Sequence, residues 1–269
     1  MKTYTKNDIF KQLEAMGAPT DSVVLMHASL RAVGPVEGGA EGLLEALTEY
    51  FTRDGGLFCV PTHTWHNLGK GITLDMASDD SCLGAFSGVA LRSGKGIRSE
   101  SPTHSMVVFG DREKALAFVA DEPFAASSTA PESCYGKLYT MGGFVLLVGV
   151  AQNRNTYLHC VEEMLQIPNR MMKKPVKTVV KRTDGTLVER DVLLYEADFV
   201  EDVSWRFVKF DTPFRYHRCI TDGFLGNAPA QLCNAVKMKE TMELIYRNSA
   251  GVDVLDTELP IPQKFYCDL

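Results

Sequence analysis

The chain has 269 residues, 45% of them hydrophobic and 23% charged, with a formal net charge of −6. This ordinary globular balance excludes a fibrous or disordered chain and supports one large core or two small ones. The acidity argues mildly against nucleic acid as a partner and suits a cationic substrate, while no apolar run approaches the ~20 residues of a membrane span.

In chain order, Thr5 can cap a helix to about Met16 that aligns Ile9, Leu13 and Met16. The opening stretch lacks the apolar core of a signal peptide. Ser22 to Met26 reads as a short buried strand, followed by His27-Ala28-Ser29-Leu30-Arg31-Ala32-Val33-Gly34 and a helix from about Ala40 to Phe51. Leu57 to Val60 is a second buried strand that empties into Pro61 to Gly69. Residues 70–81 read as an irregular loop, and Leu83 to Leu91 as a helix. A Gly- and Ser-rich connection, Arg92 to Ser101, leads to a third strand within Ser101 to Gly110. Asp111 can cap a helix to about Val119, and Pro131 to Leu138 reads as the approach, through a turn, to the next strand.

That next stretch, Gly143 to Glu163, organises the chain. Phe144 to Val150 is a continuous apolar run, as in a strand buried on both faces of a parallel sheet. A polar turn, Gln152 to Asn155, follows, and from Thr156 the spacing of Leu158, Val161 and Leu165 is helical. Beyond Pro168, Thr178 to Val180 and Leu187 to Tyr195 flank Arg182-Thr183-Asp184-Gly185, a hairpin signal. Val200 to Val208 reads as helical, Tyr216 to Thr221 as a strand with Asp222-Gly223 as its turn, and Ala228 to Arg247 as the last helix. The pattern predicts one α/β domain over residues 1–269, with a mixed, largely parallel central sheet flanked by helices and an antiparallel hairpin inserted at about 175–196.

The polar strand ends are the candidate sites, because open α/β sheets bind ligands there. The turn from His27 to Gly34 fits either an anion site, with backbone N–H groups, a hydroxyl and Arg31 facing a phosphate, or a tight turn with a surface arginine. His63 and His66 have HxxH spacing and with His27, His104 and His159 raise the alternative of a zinc-dependent hydrolase; against it, no HExxH and no carboxylate at a suitable offset accompany them. His159 is the candidate general base, against the alternative of a satisfied structural histidine. Glu162, three residues on, can hold its tautomer, or another carboxylate does so and Glu162 is a solvated surface charge. Cys160 reads as a packing residue. The seven cysteines form no CxxC pair, which fits a reducing cytoplasm and argues against a disulfide framework or a thiolate zinc site.

Four motifs together resemble the aminoglycoside 3-N-acetyltransferases, in the same order and at similar spacing: HASLRAVG-x-x-x-GGA, VPTHTW, IRSESPTHSMVVFG and VLLVGVAQNRNTYLHCVEE. ITDGFLGNA is similar to the family's closing glycine motif, and the resemblance covers roughly residues 5 to 250. It implies the antibiotic N-acetyltransferase fold, distinct from the common GNAT acetyltransferases, with acetyl-CoA as co-substrate, no metal, and a primary amine as acceptor, most of all the 3-amino group of a 2-deoxystreptamine aminoglycoside. An endogenous amine is the alternative acceptor. The implied partners are thus a small-molecule amine, with neither nucleic acid nor membrane, and a homodimer is compatible. By the same resemblance His159 is the catalytic histidine, Thr62 and Thr156 are hydroxyls lining the centre, and Ser29 to Gly34 with Ser105 contact CoA. Backbone N–H groups near Thr62 or Ser29, or a threonine hydroxyl, are the expected oxyanion donors. Two departures remove negative charge expected for a polycation: Gly88 stands where the family usually has Glu, and the segment after Pro61-Thr62 is shorter and less acidic.

Overall fold

The computed structural model describes residues 2–200 and 202–267; Met1, Glu201, Asp268 and Leu269, which the expected domain and the helix expected at 200–208 include, lie outside the described residues. The chain begins with α1 (Lys6–Ala15), β1 (Val23–Ala28), the one-turn α2 (Leu30–Val33), α3 (Gly39–Thr52) and β2 (Leu57–Pro61). Next come β3 (Leu74–Asp75), α4 (Ala85–Arg92), β4 (Ile97–Arg98), β5 (Met106–Phe109), α5 (Arg112–Val119) and α6 (Cys134–Thr140). The second half contains β6 (Phe144–Val148), α7 (Tyr157–Met164), β7 (Val176–Lys181), β8 (Leu187–Val192), α8 (Asp211–Tyr216), β9 (Ile220–Leu225), β10 (Ala228–Asn234) and α9 (Ala235–Asn248).

Seven strands form one sheet in the order β4-β5-β2-β1-β6-β10-β9. Its parallel character is confined to the three central strands, β2, β1 and β6. The four outer strands join antiparallel. The central strands are the continuous apolar runs, as burial on both faces requires. Alternation along β1 sends Val23 and Leu25 to one face, with Leu158, Val161 and Met242, and Val24 and Met26 to the other, with Ile9, Leu47 and Phe51. Thr5 caps α1 in a capping box: the Asp8 N–H donates to Thr5 Oγ1 and the Thr5 N–H donates back to Asp8 Oδ2. Among the described residues no helix is long and apolar enough to cross a membrane.

Several local expectations are corrected. The loop at 70–81 contains β3, which pairs in parallel with β7, so the β7–β8 hairpin is part of a second, three-stranded sheet. Residues 134–140 form α6, capped by Ser133 Oγ, where a turn was expected. Strand β9 runs through Asp222 and Gly223, and the reversal comes at Gly226-Asn227. Residues 228–234 are β10, not the start of the last helix; Ala228, Ala230 and Leu232 bury one face at period two, and Asn234 then caps α9. The segment expected to be helical at 200–208 is a 3-10 helix, Val203–Phe210.

Candidate active site

The parallel centre places the carboxyl ends of β1, β2 and β6 on one edge, and the antiparallel β5 brings its amino end there too. Four histidines therefore converge: His27 near the end of β1, His63 just beyond β2, His104 just before β5 and His159 in the first turn of α7. The rings of His63 and His104 lie 4.4 Å apart. A cleft of about 270 Å³ opens on the same edge, lined by His27 and Pro61 from the strand ends, Cys82 and Phe86 from the α4 approach, and Val150 and Arg154 after β6.

His27 and His63 are buried and His104 and His159 half-buried, and desolvation of the ring nitrogens holds all four imidazoles below the ordinary histidine value. It lowers His27 and His104 to about 4. It lowers His159 to about 3, with His104 and Arg170 acting in the same direction and Asp202 against them. His63 is pushed well below its usual range by burial first, then by His104, His27 and His159. His63 Nε2 shares a hydrogen bond with the Tyr135 hydroxyl at 2.7 Å, and His104 Nδ1 with Thr103 Oγ1 at 2.8 Å. Among the described residues, His27 Nε2 and His159 Nδ1 have no hydrogen-bond partner. An unpaired buried nitrogen of this kind costs stability.

His159 is held by rings. Tyr195 meets it at 4.0 Å between centroids and Phe207 at 4.8 Å, both edge-on. Glu162, expected to orient it, does not reach it. Glu162 is fully buried; Oε1 accepts from Arg170 Nε at 2.8 Å and from the Tyr246 hydroxyl at 3.0 Å, and Oε2 accepts from the Tyr195 hydroxyl. Arg170 in turn donates from Nη2 to Asp253 Oδ1 at 2.8 Å. Burial pushes the Glu162 carboxyl up, while Arg170 and the two phenols pull it back. Neither a direct orienter nor a solvated surface charge, Glu162 is the centre of a closed ion network.

Thr62 and Ser105 are brought together, but facing inward. Both are fully buried. Their hydroxyls pair at 3.0 Å, and Ser105 Oγ donates to the Thr62 carbonyl at 2.9 Å. Arg98 completes this knot, donating from Nε to Ser105 Oγ and from Nη1 and Nη2 to the carbonyls of Asp75, Ser78 and Asp80. Ser105 thus fixes the β2 and β5 ends and, through Arg98, pins the 75–80 loop. The Thr62 N–H donates to Ser105 O and the Ser29 N–H to Val148 O, so those two N–H groups are themselves taken. Thr156 stands at the N-cap of α7 without capping it, and its carbonyl accepts from the His159 N–H.

Ser29 caps α2, its Oγ accepting from the Ala32 N–H at 3.4 Å. Leu30 and Ala32 are half-buried, Val33 is core, and Arg31 is exposed. This turn packs against the end of β6 because Gly149, at φ +62°, lacks a Cβ that would stand 2.4 Å from that of Ala32. The HxxH spacing does not converge: His63 turns to Tyr135, while His66 lies 3.3 Å from Asp80. Among the described residues no group of three or more His, Cys, Asp or Glu is arranged to hold a metal ion. A side chain at Gly88 would meet the Arg92 guanidinium, 2.9 Å from its Cβ, and Gly88 does not line the cleft.

Sequence reasoning missed Tyr195, Phe207 and Arg170. Each lies in a segment without a motif, and only the three-dimensional path of the chain after β8 and α7 brings them to His159. Arg98 stood inside a quoted motif without a role.

The family model for aminoglycoside 3-N-acetyltransferase matches residues 25–246. Aminoglycoside N(3)-acetyltransferase III of Salmonella sp is 28% identical over 183 residues, 62% of this chain; the matched part spans 63% of that relative's length. A solved structure of a histidine-to-alanine variant of aminoglycoside acetyltransferase AAC(3)-IVa in complex with a gentamicin is 26% identical, with a TM-score of 0.77, covering 93% of this chain and 91% of that one. AAC-IIIb, solved as a binary complex with CoASH, shares the fold at a TM-score of 0.77 and 20% identity, covering 90% of this chain and 96% of that one.

Proposed function

The chain belongs to the aminoglycoside 3-N-acetyltransferase family, and from that premise we propose that it moves an acetyl group from acetyl-CoA to a primary amine, the 3-amino group of a 2-deoxystreptamine aminoglycoside. The observation that carries this reading is His159: a neutral imidazole with an unpaired Nδ1, on the sheet edge where the strand ends and the cleft meet. The CoASH bound to AAC-IIIb and the gentamicin bound to AAC(3)-IVa support donor and acceptor.

The chemistry needs a neutral base. An amine attacks a thioester only through its free lone pair. Once nitrogen bonds to the carbonyl carbon it becomes far more acidic than a free ammonium, and the neutral His159 imidazole can take the proton. The C–S bond breaks and the CoA thiolate leaves. Asp202, which raises the His159 pKa, favours the cation that forms. Thr156 is the hydroxyl candidate for the oxyanion, since Thr62 is spent on Ser105. The first N–H groups of α2 and the exposed Arg31 would meet CoA phosphates, with His27 on the cleft wall.

The test is thiol release from acetyl-CoA with aminoglycosides that carry or lack a free 3-amine. Turnover only with the free amine is expected, and His159→Ala should lower kcat on the order of 10²-fold or more. A second reading, acetylation of an endogenous amine, is favoured by Gly88 and by the short segment after Thr62; CoA binding in calorimetry without aminoglycoside turnover would select it. Near-normal turnover by His159→Ala would remove the assigned base.

A further inference from the structure

We infer that Tyr195 is a positioning residue for His159, one jaw of an aromatic clamp that the Glu162–Arg170 ion pair locks in place. This deepens the acetyltransferase reading and rests on it for the catalytic consequence only. A base that must accept a proton from a bound amine needs its ring plane fixed. The usual device is a carboxylate hydrogen-bonded to Nδ1. Here Nδ1 has no partner among the described residues, and the ring is held between Tyr195 and Phe207, at interplanar angles of 64° and 60°.

Tyr195 is fixed at both ends. Its backbone bridges to Met171, with the Met172 N–H donating to Leu194 O at 2.9 Å and the Glu196 N–H to Arg170 O at 2.8 Å. Its hydroxyl donates to Glu162, whose other oxygen takes Arg170 and Tyr246. Glu162 lies one turn beyond His159 on α7. The helix therefore carries both the base and the anchor of the ring that aligns it. The stretch after β8 is delivered to α7 by the hairpin, which gives that excursion a role at the site.

The clamp also sets the medium of the imidazole. Two rings cover part of the half-buried imidazole, and the charged or titratable groups that face it are His104 and His63 from the β5 and β2 ends, Arg170 after α7 and Asp202 before the 3-10 helix. Opening the clamp should bring His159 back toward the ordinary histidine value.

The experiment is a ¹⁵N titration of the His159 ring in the ligand-free full chain, beside kcat and KM for thiol release. In the parent, one tautomer should persist far below pH 6.5. Tyr195→Ala should raise the midpoint by at least one unit, mix the tautomers and lower kcat on the order of 10²-fold, the cost of a misplaced catalytic group, with KM for acetyl-CoA unchanged. Tyr195→Phe keeps the ring and loses the latch, so it should restore most of the titration and part of kcat. A folded Tyr195→Ala with the parent's tautomer and midpoint would overturn the inference, as would Tyr195→Phe matching Tyr195→Ala in both readouts. Should Tyr195→Ala not fold, Phe207→Leu opens the other jaw, and an unchanged His159 titration there would be equally decisive. The NMR readout needs no substrate, so a failure of the acetyltransferase reading and a failure of the clamp are told apart.

Discussion

Helix α7 carries two titratable side chains one turn apart, and the fold treats them in opposite ways. His159 is neutral, with an unpaired nitrogen between two rings. Glu162 sits in full burial with both oxygens taken by an arginine and two phenols. The saturated group has no capacity left for chemistry, and the unsaturated one is costly to stability unless something uses it. Completeness of hydrogen bonding thus separates the structural half of the helix from the half that carries the proposed base, although both residues sit in the same family motif.

The comparison breaks most strongly at the ion network. Arg170→Met leaves the Glu162 carboxylate buried without its guanidinium and should cost about 3–5 kcal/mol, read as a loss of midpoint in chemical denaturation. Pairing it with Glu162→Gln should recover much of that loss, because the uncompensated charge goes with it. A double variant as unstable as the single one would mean that the network stabilises through packing alone.

The histidine side is weaker in stability and is read by pH. His27, His104 and His159 are held at about 4, 4 and 3, below the 6.5 of an unfolded histidine. Below pH 6.5 the unfolded chain therefore binds more protons, and stability falls with pH, from 6.5 toward 4. Between pH 7 and 5.5 each such histidine should remove about 1 kcal/mol. Glu122 and Glu163, raised by burial, take up protons in the folded state and oppose this at the acid end of the window. Thermal midpoints across that range check the sign; His27→Gln should flatten the slope, and a midpoint that rises on acidification would contradict the buried neutral cluster.

The sequence was a good guide wherever local chemistry decides structure. The apolar runs in β1, β2 and β6, the Thr5 and Asp111 caps, and the strand-end positions of His27, His63, Thr62 and His159 all follow from short-range pattern. It was a poor guide where partners are distant. Strand β3 has two residues and exists because β7 lies beside it. Glu162 at i+3 from His159 suggested contact, but 3.6-residue geometry only makes them neighbours. Arg170, Tyr195 and Tyr246, supplied by three other segments, decide where that carboxylate points. The family resemblance pointed to the helix of the proposed base but not to the rings that pack against it.

Cys160 tests the same contrast at its smallest scale. It adjoins His159, yet its side chain turns about 100° away around α7 and is buried, with Sγ 3.8 Å from the Ala130 carbonyl. Burial first, then Glu163, Glu122 and Glu132, raises its thiol well above the usual range. A nucleophilic cysteine needs the thiolate, and acyl transfer directly from CoA to an amine needs no enzyme nucleophile. Cys160→Ala should therefore leave kcat and its pH profile unchanged while removing about 1 kcal/mol of packing. Loss of turnover in a variant that keeps its denaturation midpoint would place an acyl-cysteine on the reaction path and reverse the division between the two faces of the helix.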